Sequence, residues 1–133
     1  MSPDKPLYRI EYDPARKILK LVLTGLWDKS TLDAYARDLH ATTSKLYVGG
    51  TIPADIGSIV DLREHAIQPR DIAQAWQKLI ESTGLSRNPC AIILSSSAIQ
   101  KAQSGRVSAK FSDLTLFTDE AEALAWMAAR RST

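Results

Sequence analysis

The chain has 133 residues, 44% hydrophobic, 24% charged and 7% aromatic, which suits one globular domain and excludes collagen-like, low-complexity and wholly disordered classes. Seventeen Lys and Arg against fifteen Asp and Glu give a formal charge of +2, with the signs interleaved rather than gathered into the basic stripe of a nucleic-acid binder. No apolar run approaches the roughly 20 residues of a membrane helix, and Cys90, the single cysteine, leaves neither a disulfide framework nor a thiolate pair for zinc.

The opening Met-Ser-Pro-Asp-Lys-Pro reads as a loose lead-in, residues 1–7, without the charged-then-apolar pattern of a secretory signal. The expectation is a cytoplasmic protein with no stable membrane insertion. Tyr8, Ile10 and Tyr12 alternate with Arg9 and Glu11, the period of a half-buried strand. Asp13-Pro14-Ala15-Arg16 supplies turn chemistry, and a second strand from Ile18 to about Thr24 completes an antiparallel hairpin that Gly25 ends. From Asp28 the period turns helical. Leu32, Tyr35, Ala36 and Leu39 share one face, Asp33 and Arg37 make an i, i+4 pair on the other, and the helix is expected to reach about Ser44.

Residues 47–57 show no clear period and read as a long loop. Ser58 to Leu62 is a short apolar strand suited to a central parallel position. Pro69 opens a second helix that ends before Gly84, with Ile72, Trp76, Leu79, Ile80 and Thr83 on one face. Cys90 to Leu94 is a fourth strand, followed by a third helix from Ala98 to about Lys110 that Ser104 and Gly105 weaken. Leu114 to Phe117 is a fifth strand. Thr118 is expected to cap the last helix, with Asp119, Glu120 and Glu122 at its start and Arg130 and Arg131 at its end, an order that complements the helix dipole.

The order is ββαβαβαβα. It predicts a single α/β domain with a mixed five-stranded sheet, an antiparallel N-terminal hairpin followed by parallel strands, and four helices.

Three segments carry a family likeness: Gly25-Leu26-Trp27 leading into the first helix, the strand Ile59-Val60-Asp61-Leu62, and the ending Leu114 to Met127 with its Glu-Ala-Leu-Ala-Trp helix. Over roughly residues 8–130 the chain resembles the STAS domain of bacterial anti-sigma-factor antagonists. It looks most similar to the divergent SpoIIAA-like branch, itself compared with the CRAL-TRIO lipid-binding fold. The resemblance implies protein interaction or small-ligand binding. It also implies a phosphorylatable Ser at the start of the helix after the third strand, where phosphate would add about two negative charges to a partner-facing surface. Here that stretch is His65-Ala66-Ile67-Gln68-Pro69-Arg70-Asp71, without Ser or Thr, so a kinase-controlled switch of that kind is not expected.

The residues offer few reactive constellations. His40 and His65 are too far apart in sequence for a metal motif. His65 is either a solvated loop histidine or a general base or ligand contact beyond the third strand. Asp61 either faces a ligand crevice or caps a turn, and Cys90 reads as a buried small hydrophobe. Ser95, Ser96 and Ser97 precede a helix, so they either cap it or hold an anion with Lys101 or Arg106 nearby. Gly49-Gly50 lacks the following Lys-Ser or Lys-Thr of a phosphate loop, and no cofactor is implied. Trp27 is placed at a pocket mouth. Trp76, with Tyr35, Leu79 and Ile80, either packs helix on sheet or walls an apolar cavity.

The resulting expectation is a non-enzymatic regulatory or interaction module, meeting an unknown protein partner through residues 65–72, including Arg70, and 95–106. The alternative is a small-ligand or lipid-binding module with an apolar pocket between sheet and helices. Open sheet edges make a homodimer a further expectation.

Overall fold

The computed structural model describes residues 7–65, 68–83, 88–95 and 114–131. In chain order they form β1 (Tyr8–Asp13), β2 (Ile18–Gly25), α1 (Lys29–Val48), a 3-10 turn (Pro53–Asp55), β3 (Gly57–His65), α2 (Arg70–Ser82), β4 (Cys90–Ile93), β5 (Leu114–Phe117) and α3 (Glu120–Arg131). The five strands lie in the order β1-β2-β3-β4-β5, with β1 antiparallel to β2 and every later pair parallel. Three α-helices are present among the described residues; the helix expected over 98–110 lies outside them.

Strand alternation divides the core in two. Leu19, Leu21, Leu23, Val60, Cys90 and Ile92 face one way, onto Leu32, Tyr35 and Leu39 of α1 and Ile72, Leu79 and Ile80 of α2. Their neighbours Ile18, Ile59, Ala91 and Ile93 face the other way, onto Ala123 and Met127 of α3. Each fully buried aliphatic side chain contributes roughly 1.5–3 kcal/mol, so the larger first cluster dominates stability. The hairpin is set locally. Asp13 Oδ1 accepts from the Ala15 and Arg16 N–H groups at 3.0 and 3.2 Å, and Lys17 turns the chain at φ +55°.

Several boundaries differ from the sequence reading. Asp28 caps α1 by accepting from Thr31 N–H at 2.9 Å, and the helix continues through Ser44 to Val48. Thr42 and Thr43 return their hydroxyls to the carbonyls of Asp38 and Leu39, so the polar Thr-Thr pair satisfies itself within the helix. The expected long loop therefore shrinks. Asp33 pairs with Lys29 at 3.3 Å rather than with Arg37.

β3 continues past Leu62 to His65, because β2 extends far enough to pair Thr24 with Glu64 and Gly25 with His65. The register shifts between Val22 and Thr24, a bulge of the kind found beside functional sites. At the last helix, Asp119 is the cap in place of Thr118, its Oδ1 accepting from Ala121 N–H at 3.0 Å.

Candidate functional site

β2 leaves the sheet at Gly25, whose φ of +72° lies in the left-handed region and whose place would bring an added Cβ within 2.9 Å of Leu7 Cδ2. This sharp exit sends Leu26 outward and Trp27 inward. Leu26 is 62% exposed and Trp27 only 3%, so Trp27 is a core residue and not the rim of a pocket. Its indole N–H donates to the Thr24 carbonyl at 2.9 Å. Its backbone N–H donates to Gln68 Oε1 at 2.8 Å, and Gln68 Nε2 donates to the Gly25 carbonyl at 2.9 Å. One amide side chain thus clasps the start of α1 to the approach of α2.

Inside the clasp the rings pack edge to face. Trp27 lies 5.0 Å from Tyr35 and 5.5 Å from His65, and Tyr8 lies 5.3 Å from Tyr35, centroid to centroid. His65 is therefore half-buried at a strand end and not a solvated loop histidine. Burial pushes its pKa down to about 4, which keeps the ring neutral near pH 7. Its Nδ1 is buried without a hydrogen-bond partner, as are the Tyr35 hydroxyl and the Trp76 indole N–H. Burial also drives the Tyr35 phenol well above its ordinary range, while Trp76 acts on it in the opposite sense. The two groups are neighbours that close no bond of ordinary length and angle.

The opposite face of the sheet holds charge. Asp61 is 8% exposed, and Arg63 holds it through the side chain at 2.7 and 3.0 Å and through the backbone N–H at 3.1 Å. Burial raises the Asp61 pKa, but the hydrogen bonds from Arg63 outweigh it and leave the carboxyl below its usual range. Lys20 Nζ meets Glu120 Oε2 at 2.8 Å, and Arg63 approaches Glu120 at 3.9 Å. Asp61 thus pairs with Arg63, two residues along β3, on the α3 side, while His65 packs with Trp27 on the other. The two do not form an acid–base pair.

Of the other residues singled out in the sequence, Trp76 is half-buried beside Tyr35, Arg70 is exposed at the start of α2, and Ser95 is half-buried just beyond β4. Ser96, Ser97, Lys101 and Arg106 lie outside the described residues. Cys90 is fully buried, and the exposed His40 lies 3.3 Å from the Ser82 hydroxyl. Sequence reading did not single out Gln68, Leu26 or Arg63 as site residues, although Gln68 lies within the expected contact stretch 65–72. Gln68 gave no signal, because its partners are 41 and 43 residues away. Among the described residues no group of three or more His, Cys, Asp and Glu is placed to hold a metal ion, and no helix is long and apolar enough to cross a membrane.

No protein-family model matches the chain, and no curated protein does. Among solved structures, an uncharacterized protein from the DUF3478 family with a SpoIIAA-like fold, from Shewanella loihica PV-4, matches with a TM-score of 0.70 and 19% identity over 96% of this chain and 98% of that one. The chain has a SpoIIAA-like fold. A second match is the Bacillus cell fate determinant SpoIIAA in its phosphorylated form, with a TM-score of 0.50 and 13% identity over 90% of this chain and 97% of that one. At these identities the likeness is one of fold, and a shared fold does not fix a function.

Proposed function

We propose that this chain is a non-enzymatic regulatory or protein-interaction module that meets its partner with the C-terminal end of its parallel strands. Leu26 carries the reading. It is 62% exposed, it follows a glycine at positive φ, and its neighbour Trp27 is fixed by the Gln68 clasp. An apolar side chain held on a rigid support loses little freedom on binding, which favours contact. Arg70 at the start of α2 supplies a charged rim of the kind found around interface centres.

The ionisable groups nearby support binding over catalysis, since Arg63 takes both Asp61 oxygens and the His65 ring is turned in against Trp27. The stretch from His65 to Asp71 has no hydroxyl to accept phosphate, so the module is proposed to work without the switch that its resemblance implies. Affinity capture from the host, with wild type, Leu26→Asp and Arg70→Glu in parallel, tests this. A protein held by the wild type is expected to be lost from both variants while their melting temperatures stay unchanged. Equal recovery on all three baits contradicts the reading.

A second reading, a small apolar ligand between the sheet and α1 and α2, is favoured by the unpartnered Tyr35 hydroxyl and Trp76 N–H. A buried group left unpaired costs roughly 1–3 kcal/mol, and a ligand carrying one acceptor oxygen would relieve both donors. Native mass spectrometry of protein purified from its host separates the two. A retained mass of a few hundred daltons, lost on denaturation, favours the ligand; a clean 14.7 kDa chain or its multiple opposes it.

A further inference from the structure

We propose that two copies of this chain pair through the outer edge of β1, antiparallel about a two-fold axis at Ile10, to make one continuous ten-stranded sheet from the two five-stranded ones. β1 is an end strand of the sheet, and among the described residues nothing pairs with its outer side. It runs opposite β2 from Tyr8↔Leu23 to Asp13↔Ile18 with no shift in register. It also has no proline, so it lacks two devices that commonly blunt an edge.

The direction of its backbone groups follows from one bond. Thr24 N–H donates to the Leu7 carbonyl at 2.9 Å, which makes 7 and 24 a hydrogen-bonded pair. Alternation then turns the N–H and C=O groups of Arg9, Glu11 and Asp13 toward β2, and those of Tyr8, Ile10 and Tyr12 outward. An antiparallel copy must pair outward residues with outward residues, so its axis falls on a residue and not between two.

Charge selects which residue. An axis at Arg9 sets Arg9 against its own copy, and an axis at Glu11 sets two carboxylates against each other, both unfavourable. An axis at Ile10 sets Arg9 opposite the partner's Glu11 and Glu11 opposite the partner's Arg9. The same register places Ile10 against Ile10 and Tyr8 against the partner's Tyr12, for about six new backbone hydrogen bonds. Arg9 and Glu11 are exposed, so both charges are free to meet. An open groove of about 310 Å³, lined by Tyr8, Ile10, Asp38, Ala41 and Thr42, lies where the incoming Tyr12 would need room. The same aromatic, aliphatic and charged positions thus complement a second copy of themselves, independently of the Leu26 reading.

The test is the mass in solution by sedimentation equilibrium, across a concentration series, of the wild type, Arg9→Glu, Glu11→Arg and an equimolar mixture of the two variants. The wild type is expected at twice 14.7 kDa. Each variant alone faces like charges at two positions, so its dissociation constant is expected to rise at least about tenfold. The mixture restores opposite charges and is expected to recover the dimer. A wild type that stays monomeric throughout, single variants that dimerise as well as wild type, or a mixture that fails to recover would each overturn the proposal.

Discussion

Val48 and Ile52 lie at one end of the parallel strands and Leu26 at the other, and they expose 90%, 59% and 62% of their surfaces. Around Val48 and Ile52 the chain is tied by bonds that end on carbonyls. Gly57 N–H donates to Lys17 O, Ser58 N–H to Pro89 O, the Asn88 amide to Ile56 O and the Tyr47 hydroxyl to Thr83 O, all at 2.9–3.0 Å. The two apolar side chains simply hang from that closed end. Around Leu26 the chain reversal is held by a side chain, Gln68, over a ring cluster that contains a buried histidine nitrogen without a partner. Exposure alone therefore does not mark a contact surface. Strand C-termini leave polar backbone for side chains to satisfy, and that end can be shaped by substitution without dismantling the sheet.

The Leu26 end is most vulnerable at Trp27. Trp27→Ala removes the centre of the ring cluster and is expected to cost about 3–5 kcal/mol in chemical denaturation. A loss below about 1 kcal/mol would show that the clasp, not the ring, holds this end. At the opposite end Gly57→Ala would bring a Cβ to 2.6 Å from Met127 Sδ. Because the thioether can move aside, the expected loss is smaller, about 1–3 kcal/mol.

His65 sharpens the contrast through pH. Its pKa is depressed to about 4 in the fold, against about 6.5 when unfolded, so between those values the unfolded chain binds the extra proton. Stability from this group is present in full above pH 6.5 and is lost as pH falls toward 4. The loss should be roughly 1–2 kcal/mol, less than the full shift implies because water reaches part of the ring. His65→Gln should flatten that part of the pH profile, and an unchanged slope would contradict the burial account. The smallest stability effects belong to Leu26→Asp and Val48→Asp, each expected within about 0.5 kcal/mol of wild type, with partner capture lost only in the first.

Much of the fold was legible because its signals are local. Tyr8, Ile10 and Tyr12 alternate in the hairpin, the period of α1 turns helical at Asp28, and the apolar face of α2 from Ile72 to Thr83 is buried or half-buried as its spacing predicts. What escaped depends on distant partners. Arg63 and Glu64 read as lying beyond the strand because both are charged, yet β3 runs through them and β2 pairs with Glu64 past a bulge. Thr42 and Thr43 read as a helix end because the sequence does not show hydroxyls bonding back to carbonyls. Trp27 read as a pocket rim because its burial depends on Gln68, far along the chain. At the candidate site the residue types were visible, but strand parity and the bulge decide that Asp61 and His65 serve opposite faces.

The most direct test of the central claim is site-specific photo-cross-linking in the host. A photoreactive residue is placed at position 26 in one protein and at position 48 in another, two sites of comparable apolar character at opposite ends of the sheet. The account predicts a discrete covalent adduct with one partner protein from position 26 and none from position 48. Adducts from position 48 alone, or identical adducts from both, would contradict it.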